Sequence, residues 1–378
     1  MINANQYNCT GCGACKLSCP TKCIEMIPDD EGFLIPKINK VKCIDCNICE
    51  RVCPEINTLE NKNKGKVYAF YNKDSEMREK SSSGGFFYSI AEYVISQNGI
   101  VCGAIFDSQM KVIHACSNSI DDVKKMMKSK YVQSDTRETF KEIKKYLEIN
   151  YIVLFCGTPC QVGGLKKYLK KDYTNLITIQ LICHGVPSPL LFEKYKEYLI
   201  KRFSLKKISE FSFRDNNKFI MSISDGEKRK KWQGNTDRYL RPFIKGKNYR
   251  MCCYSCKYSQ NHISDFTIGD FWGLEHYYEN FCDGKGISFV MINSNKGKEI
   301  FYELNSETIE ATYNLASKHN KNLLNPSPLD KDRRDFYKNI NDSNYIENLK
   351  KYIPLSAKIV SKLPENIIKK ISSILYHE

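Results

Sequence analysis

The 378 residues predict a mixed α/β body preceded by a small module built around cysteines, and three observations carry that prediction. A cysteine run occurs twice within the first sixty residues. A polar stretch without periodicity follows, and from about residue 85 strand-like and helix-like segments alternate.

The repeated run reads Cys9-x2-Cys12-x2-Cys15-x3-Cys19-Pro20 and Cys43-x2-Cys46-x2-Cys49-x3-Cys53-Pro54. Three cysteines stepped by three and a fourth just before proline form the ligand run of bacterial two-cluster ferredoxins, whose fourth cysteine serves the other cluster. The expected ligand sets are therefore Cys9, Cys12, Cys15 and Cys53 for one [4Fe-4S] cluster, and Cys43, Cys46, Cys49 and Cys19 for the other. Zinc fits less well, because it takes two separated pairs. Neither half alone buries much, so the clusters themselves form the core of this module, residues 1–60. Between the runs, Gly32 ahead of Pro36 suits a short hairpin. Cys23 reads as a small buried apolar side chain. Where the first run has Gly13 the second has Asn47, the non-glycine residue type that best tolerates a left-handed backbone.

Eighteen cysteines in a secreted chain would imply disulfides, but the first twenty residues do not read as a signal peptide and no apolar run approaches membrane-spanning length. A reducing cytoplasm is the expected location, with the cysteines in metal or redox chemistry. The formal charge of +15 falls to roughly +11 once two oxidised clusters of about −2 each are counted. Residues 1–60 hold six Lys/Arg against eight Asp/Glu, so the basic excess lies entirely beyond them. Scattered lysines in a Lys-, Asn- and Ile-rich chain read as solvated surface, which leaves nucleic acid as a remote reading. A basic body equally suits an anionic cofactor or an acidic redox partner.

Residues 61–66 read as a linker. Beyond them, 85–97 has helical spacing of Phe86, Phe87, Ile90, Tyr93 and Val94 and stops at Asn98-Gly99. Strands are expected over 99–106 and 111–117 about the Asp107-Ser108 turn, and helices over 121–128 and 136–149. Tyr151–Phe155 reads as a buried strand entering the loop Cys156-Gly157-Thr158-Pro159-Cys160, with a helix from about Gln161. Residues 176–182 repeat the arrangement, with Cys183-His184-Gly185-Val186-Pro187 as loop and a helix from Pro189. Strand, tight loop and helix present backbone N–H groups to phosphate. Ser81-Ser82-Ser83-Gly84-Gly85 ahead of a helix offers the same device, although it matches neither a Walker nor a Rossmann fingerprint.

Six segments occur in order: Ser82-Ser83-Gly84-Gly85, Lys128-Ser129-Lys130-Tyr131-Val132, Phe155 to Gln161, Ile182 to Ser188, Cys253-Tyr254-Ser255-Cys256, and Ile268-Gly269-Asp270-Phe271-Trp272-Gly273. On these the chain resembles, over about residues 1–340, the beta-subunit family of coenzyme F-420-reducing hydrogenases and dehydrogenases, in the form with an N-terminal two-cluster ferredoxin domain. The resemblance implies an iron–sulfur flavoprotein oxidoreductase, normally with FAD, that passes electrons between the clusters and a small-molecule hydride acceptor, coenzyme F-420 or another. It divides the flavin-binding domain into 67–150 and 151–340. It also implies that Ser82, Ser83, Gly84, Gly85 and Lys130 lie near the flavin, with Thr158 and His184 in adjacent loops. His184 is the catalytic candidate, and a loop-stabilising hydrogen bond is its plainer role. A flavin converts one-electron into two-electron transfer, which suits such a chain. The main alternative is a non-catalytic electron-transfer subunit serving a redox partner protein or a ferredoxin.

Cys160, Cys183, Cys253 and Cys256 fall inside the family-like segments and are candidates for a third [4Fe-4S] cluster, with Cys252 and Cys156 as substitutes. A redox disulfide, zinc, or unligated thiols beside the flavin are the other readings. The last segment, 341–378, reads as a basic helical tail. Within it Leu355, Ile359, Leu363, Ile367, Ile371 and Ile374 recur opposite Lys358, Lys362, Lys369 and Lys370, with a break at Pro364. Packing on its own domain or a partner is preferred over peripheral contact with an anionic membrane.

Overall fold

The computed structural model describes residues 2–5, 7–61, 64–215 and 218–355. Residues 356–378, which carry most of the periodic tail, lie outside it. The opening module is a hairpin, β1 (Ile24–Pro28) on β2 (Leu34–Ile38), flanked by two short helices, α1 (Ala14–Ser18) and α2 (Ile48–Arg51). Gly32 closes the hairpin at φ 84°, where a side chain would be strained.

The body is a mixed sheet of eight strands: β3 (Lys66–Asn72), β4 (Ile100–Phe106), β5 (Val112–Ser117), β6 (Val153–Gly157), β7 (Leu176–Leu181), β11 (Phe266–Asp270), β12 (Ser288–Ile292) and β13 (Ser306–Ala311). Their order is β13-β3-β12-β11-β7-β6-β4-β5. The central β4, β6, β7 and β11 run parallel, and the outer strands pair antiparallel. Central strands covered on both faces need apolar side chains throughout, and Val153, Leu154 and Phe155 are fully buried. A separate sheet holds β8 (Glu210–Ser212), β9 (Ile220–Ser224) and β10 (Arg229–Gln233). One face of it enters an aromatic core with Phe192, Phe213 and Tyr239.

Helix α3 (Ser75–Lys80) has no counterpart in the sequence reading, whereas α4 (Phe86–Ser96), α5 (Ile120–Met126), α6 (Thr139–Glu148), α7 (Pro159–Leu169) and α8 (Pro189–Phe203) follow the expected order. Helix α8 starts where Ser188 accepts from the Leu191 N–H at 3.1 Å and proline takes N1. Three further details differ from the sequence reading. Strand β6 continues through Cys156 and Gly157, so the loop is shorter and α7 begins at Pro159. Helix α5 stops at Met126, and Lys128 beyond it takes a left-handed φ of 65°. Cys102 and Cys116 face each other across β4 and β5 and are joined as a disulfide, a pairing that short-range spacing does not announce. Among the described residues no helix is long and apolar enough to cross a membrane.

Candidate functional site

Each cysteine run turns into its helix through a left-handed residue, Gly13 at φ 76° and Asn47 at φ 56°. That reversal turns the three stepped thiols inward. Cys9, Cys12, Cys15 and Cys53 line one cavity of about 320 Å³. Cys43, Cys46, Cys49 and Cys19 line another of about 20 Å³, tighter because this small module alone encloses it. The fourth cysteine of each run thus lies with the other run. Cys23 is buried, lines the second cavity and holds its sulfur 3.4 Å from that of Cys19. No group of three or more His, Cys, Asp or Glu among the described residues is arranged for one metal ion. Thiols ringing a cavity suit a polynuclear cluster instead. Burial pushes the Cys15 thiol up to about 12 and raises Cys12 as well, with neighbouring thiols adding to both. A bound metal centre reverses that preference.

The first run is fastened to the body. Buried Arg250 donates to the Cys9 carbonyl, to Leu34 O at 2.9 Å and to Gln133 Oε1 at 3.0 Å. Gln133 Nε2 donates to Thr10 O at 2.8 Å, and Thr136 Oγ1 to Cys12 O at 2.9 Å. Buried Arg333 pairs with Glu31 through both carboxylate oxygens. None of these residues was singled out from sequence, because each acts across a hundred residues or more.

A cavity of about 330 Å³ lies between module and body. Thr10 and Glu55 of the module line it, together with Cys160, Cys183, Cys252, Cys253 and Cys256. The loops after β6 and β7 open on the same sheet edge, which brings Cys160 and Cys183 together. Burial raises both thiols, and both feel the charges of Cys256 and Cys252. Cys253 is partly buried and packs on the aromatic core, and it is Cys252 whose charge Cys160 and Cys183 feel beside that of Cys256. Cys156 also lines the cavity, its thiol pushed up by burial to about 12.

Ser82, Ser83, Gly85, Lys130, Thr158 and His184 all line this cavity. Gly84 is not among its lining residues; a Cβ there would meet Phe70 O at 2.1 Å, so its glycine serves a close backbone approach. The serine hydroxyls are largely engaged. Ser83 donates to Ile287 O at 2.7 Å, and Ser82 accepts from the Ser129 N–H at 2.8 Å. Gly85, at φ 90°, caps α4 without a side-chain hydrogen bond, and Phe86, Phe87 and Tyr88 line the cavity, placing the open helix N-terminus there. Lys130 is enclosed, not an exposed lysine: its Nζ donates to Met127 O at 2.9 Å and Met126 O at 3.2 Å. Burial lowers its pKa to about 7, with the Cys156 charge opposing. Thr158 holds its own turn, its N–H donating to Gln161 Oε1 at 3.0 Å. His184 opens onto the cavity with protein around it, and that burial lowers its pKa, against the nearby Asp270. Arg214, bonded to Asp270 at 2.7 Å, and the exposed ring of Trp272 complete the mouth. Trp272 falls in the last of the six family-like segments, whereas Arg214 has no local sequence signal.

Residues 8–56 match the family described as a 4Fe-4S dicluster domain. The chain is therefore an iron–sulfur electron-transfer protein. Residues 151–317 match the family described as the C terminus of the coenzyme F420 hydrogenase/dehydrogenase beta subunit. The chain thus carries a dicluster domain over residues 8–56 and, over residues 151–317, a domain of that beta-subunit family. An uncharacterized polyferredoxin-like protein of Methanocaldococcus jannaschii is 38% identical over 74 residues, 16% of this chain and 44% of its own. The chain thus spans less than half the length of that relative. A chain of the F420-reducing [NiFe] hydrogenase complex from Methanosarcina barkeri aligns at 16% identity with a TM-score of 0.46, over 70% of this chain and 92% of its own.

Proposed function

We propose that this protein is an iron–sulfur flavoprotein oxidoreductase that moves electrons between a redox partner, its clusters, a flavin and a small hydride acceptor. The supporting observation is the shared cavity. Thr10 and Glu55 beside the first cysteine set, the later cysteines, and the open N-terminus of α4 all border one space. Cys9, Cys12, Cys15 and Cys53 would hold one cluster and Cys43, Cys46, Cys49 and Cys19 the other, as the two cavity linings favour. Cys160, Cys183 and Cys256, with Cys252 or Cys253, would hold a third between them and the flavin. Cys12 is the link: its charge is felt by Cys160.

The residues present fit a flavin, most simply FAD. The open peptide N–H groups at the start of α4 suit its phosphates, and Ser82, Ser83 and Gly85 shape their approach. When bound, a flavin would couple one-electron transfer by the clusters to two-electron transfer to the acceptor. Lys130, held by the 126–127 carbonyls, would become fully charged only beside an anionic group, which raises a pKa that burial lowers to about 7. Thr158 would keep Cys160 oriented, their Oγ1 and Sγ being 3.1 Å apart. His184 and Trp272 stand where an acceptor would arrive.

The test is anaerobic purification of the full chain followed by iron, sulfide and flavin analysis. About one flavin per chain, and reduction of an artificial acceptor by that preparation, are expected. Full clusters with neither flavin nor acceptor reduction would replace this reading by that of a non-catalytic electron-transfer subunit.

A further inference from the structure

A second cavity of about 250 Å³ adjoins the large one, and the 127–130 turn and Arg214 line both. Its wall is the outer face of the three-stranded sheet. Register pairs Lys231 with Ser222 and Ser222 with Ser212, and sets Arg229 and Glu210 on either side of Ser224. Alternation turns Met221 and Ile223 to the aromatic core and leaves this polar row facing the cavity, with Phe211 of that core at its border.

Six cationic side chains and Lys130, whose pKa burial lowers to about 7, line the space against two carboxylates. Most have partners: Lys124 with Asp121 at 3.0 Å, Lys125 with Asp122 at 2.7 Å, Lys231 with Asp215 at 2.6 Å, and Arg229 with Glu210. The end of α5 accounts for Lys124 and Lys125, since a helix C-terminus favours cations. It does not account for Lys128. That side chain has no carboxylate partner among the described residues, and it stands on a left-handed backbone that lysine rarely adopts. Burial lowers its pKa, Asp215 opposes this, and Lys231 and Arg229 add to the lowering. Cations from three elements thus converge on a space left with excess positive charge.

We infer that this annex binds a multiply charged phosphate group belonging to a molecule seated in the large cavity, with Lys128 as the cation left for it. The phosphate belongs either to a dinucleotide cofactor or to the acceptor. The inference relies on the proposed function only for the occupant of the large cavity.

Inorganic pyrophosphate is the probe, titrated calorimetrically into the intact iron-loaded chain, both as purified with flavin and after flavin removal. Saturable binding that weakens with added salt is expected. Lys128→Gln should weaken it roughly tenfold or more, as loss of a charge-assisted contact does, and Lys128→Arg should largely preserve it. Lys128→Gly relieves the left-handed backbone, so it should fold at least as well as the parent yet lose binding to the same degree. Binding only after flavin removal assigns the annex to the cofactor's phosphate, and binding in both states to the acceptor's. No binding in either state, or equal binding by the parent and Lys128→Gly, overturns the inference. A chain that carries no flavin as purified would defeat the proposed function while leaving this titration readable.

Discussion

The two cysteine runs share one spacing and one backbone reversal, yet they sit in opposite surroundings. Around the first, Arg250, Gln133 and Thr136 take up the carbonyls of Cys9, Thr10 and Cys12, and Ala14 is fully buried. Around the second, Val41 is 96% and Ile44 65% exposed, and only residues of the module enclose the thiols. Local spacing therefore sets how thiols converge, while distant residues set which neighbour each set can reach. The second set, half-buried beside exposed Val41 and Ile44, suits exchange with a docked partner. The first suits transfer inward.

The largest expected effect is on iron content. Cys53→Ser should remove the cluster of the first run and Cys19→Ser that of the second, each lowering about eight irons toward about four. Electron paramagnetic resonance of the reduced protein distinguishes which signal disappears; loss of the cluster nearest in sequence would break the crossed assignment. Extra iron from a third cluster would appear as a constant offset in both variants. Cys252→Ser and Cys253→Ser, compared by the same signals, test which residue joins Cys160, Cys183 and Cys256.

Arg250→Ala should destabilise the chain by roughly 2–4 kcal/mol, because it leaves buried carbonyls without a donor. Anaerobic denaturation should show this loss together with a changed first-cluster signal and an unchanged second one. Equal disturbance of both signals would mean that the module responds as a unit. Acid should act on the same side. Burial holds His114 at about 4, and its Nδ1 lies 3.0 Å from Ser134 Oγ, next to Gln133. The unfolded imidazole titrates near ~6.5, so its contribution is intact above that pH and is lost as pH falls toward 4. The loss is at most about 3 kcal/mol. His114→Gln should flatten the slope of stability against pH in that window, and an unchanged slope would rule His114 out as its source.

A subtler change is Gly164→Ala. Alanine normally favours a helix by about 1 kcal/mol, but here its Cβ would meet Cys12 Sγ at 2.9 Å. Crowding should win, shifting the first-cluster signal and leaving the second alone. Cys23→Ser should be smallest: a modest broadening of the second signal with iron retained. Loss of that cluster would instead make Cys23, beside Cys19, a ligand.

How far sequence carries follows the same division. Thiol spacing, the left-handed positions and the helices from Phe86 to Phe203 were legible, since each depends on residues a few places apart. So were the loops that gather Cys160 and Cys183, because neighbouring parallel strands share an edge. Arg250, Gln133 and Arg214 were not, since their partners lie far along the chain. The serine-glycine loop was recognised as a feature ahead of a helix, but the engagement of its hydroxyls by Ile287 and Ser129 depends on tertiary contacts. Strands β3 and β11 to β13 escaped for the same reason.

Strand β3 lies between β12 and β13, more than two hundred residues downstream. Pairing over such a separation is slow, because closing the intervening loop precedes any gain from the contacts. On a ribosome, both cysteine runs emerge long before this half of the sheet has partners. Metal delivery to the module can therefore begin on an open chain, with the Arg250 clamp arriving afterward.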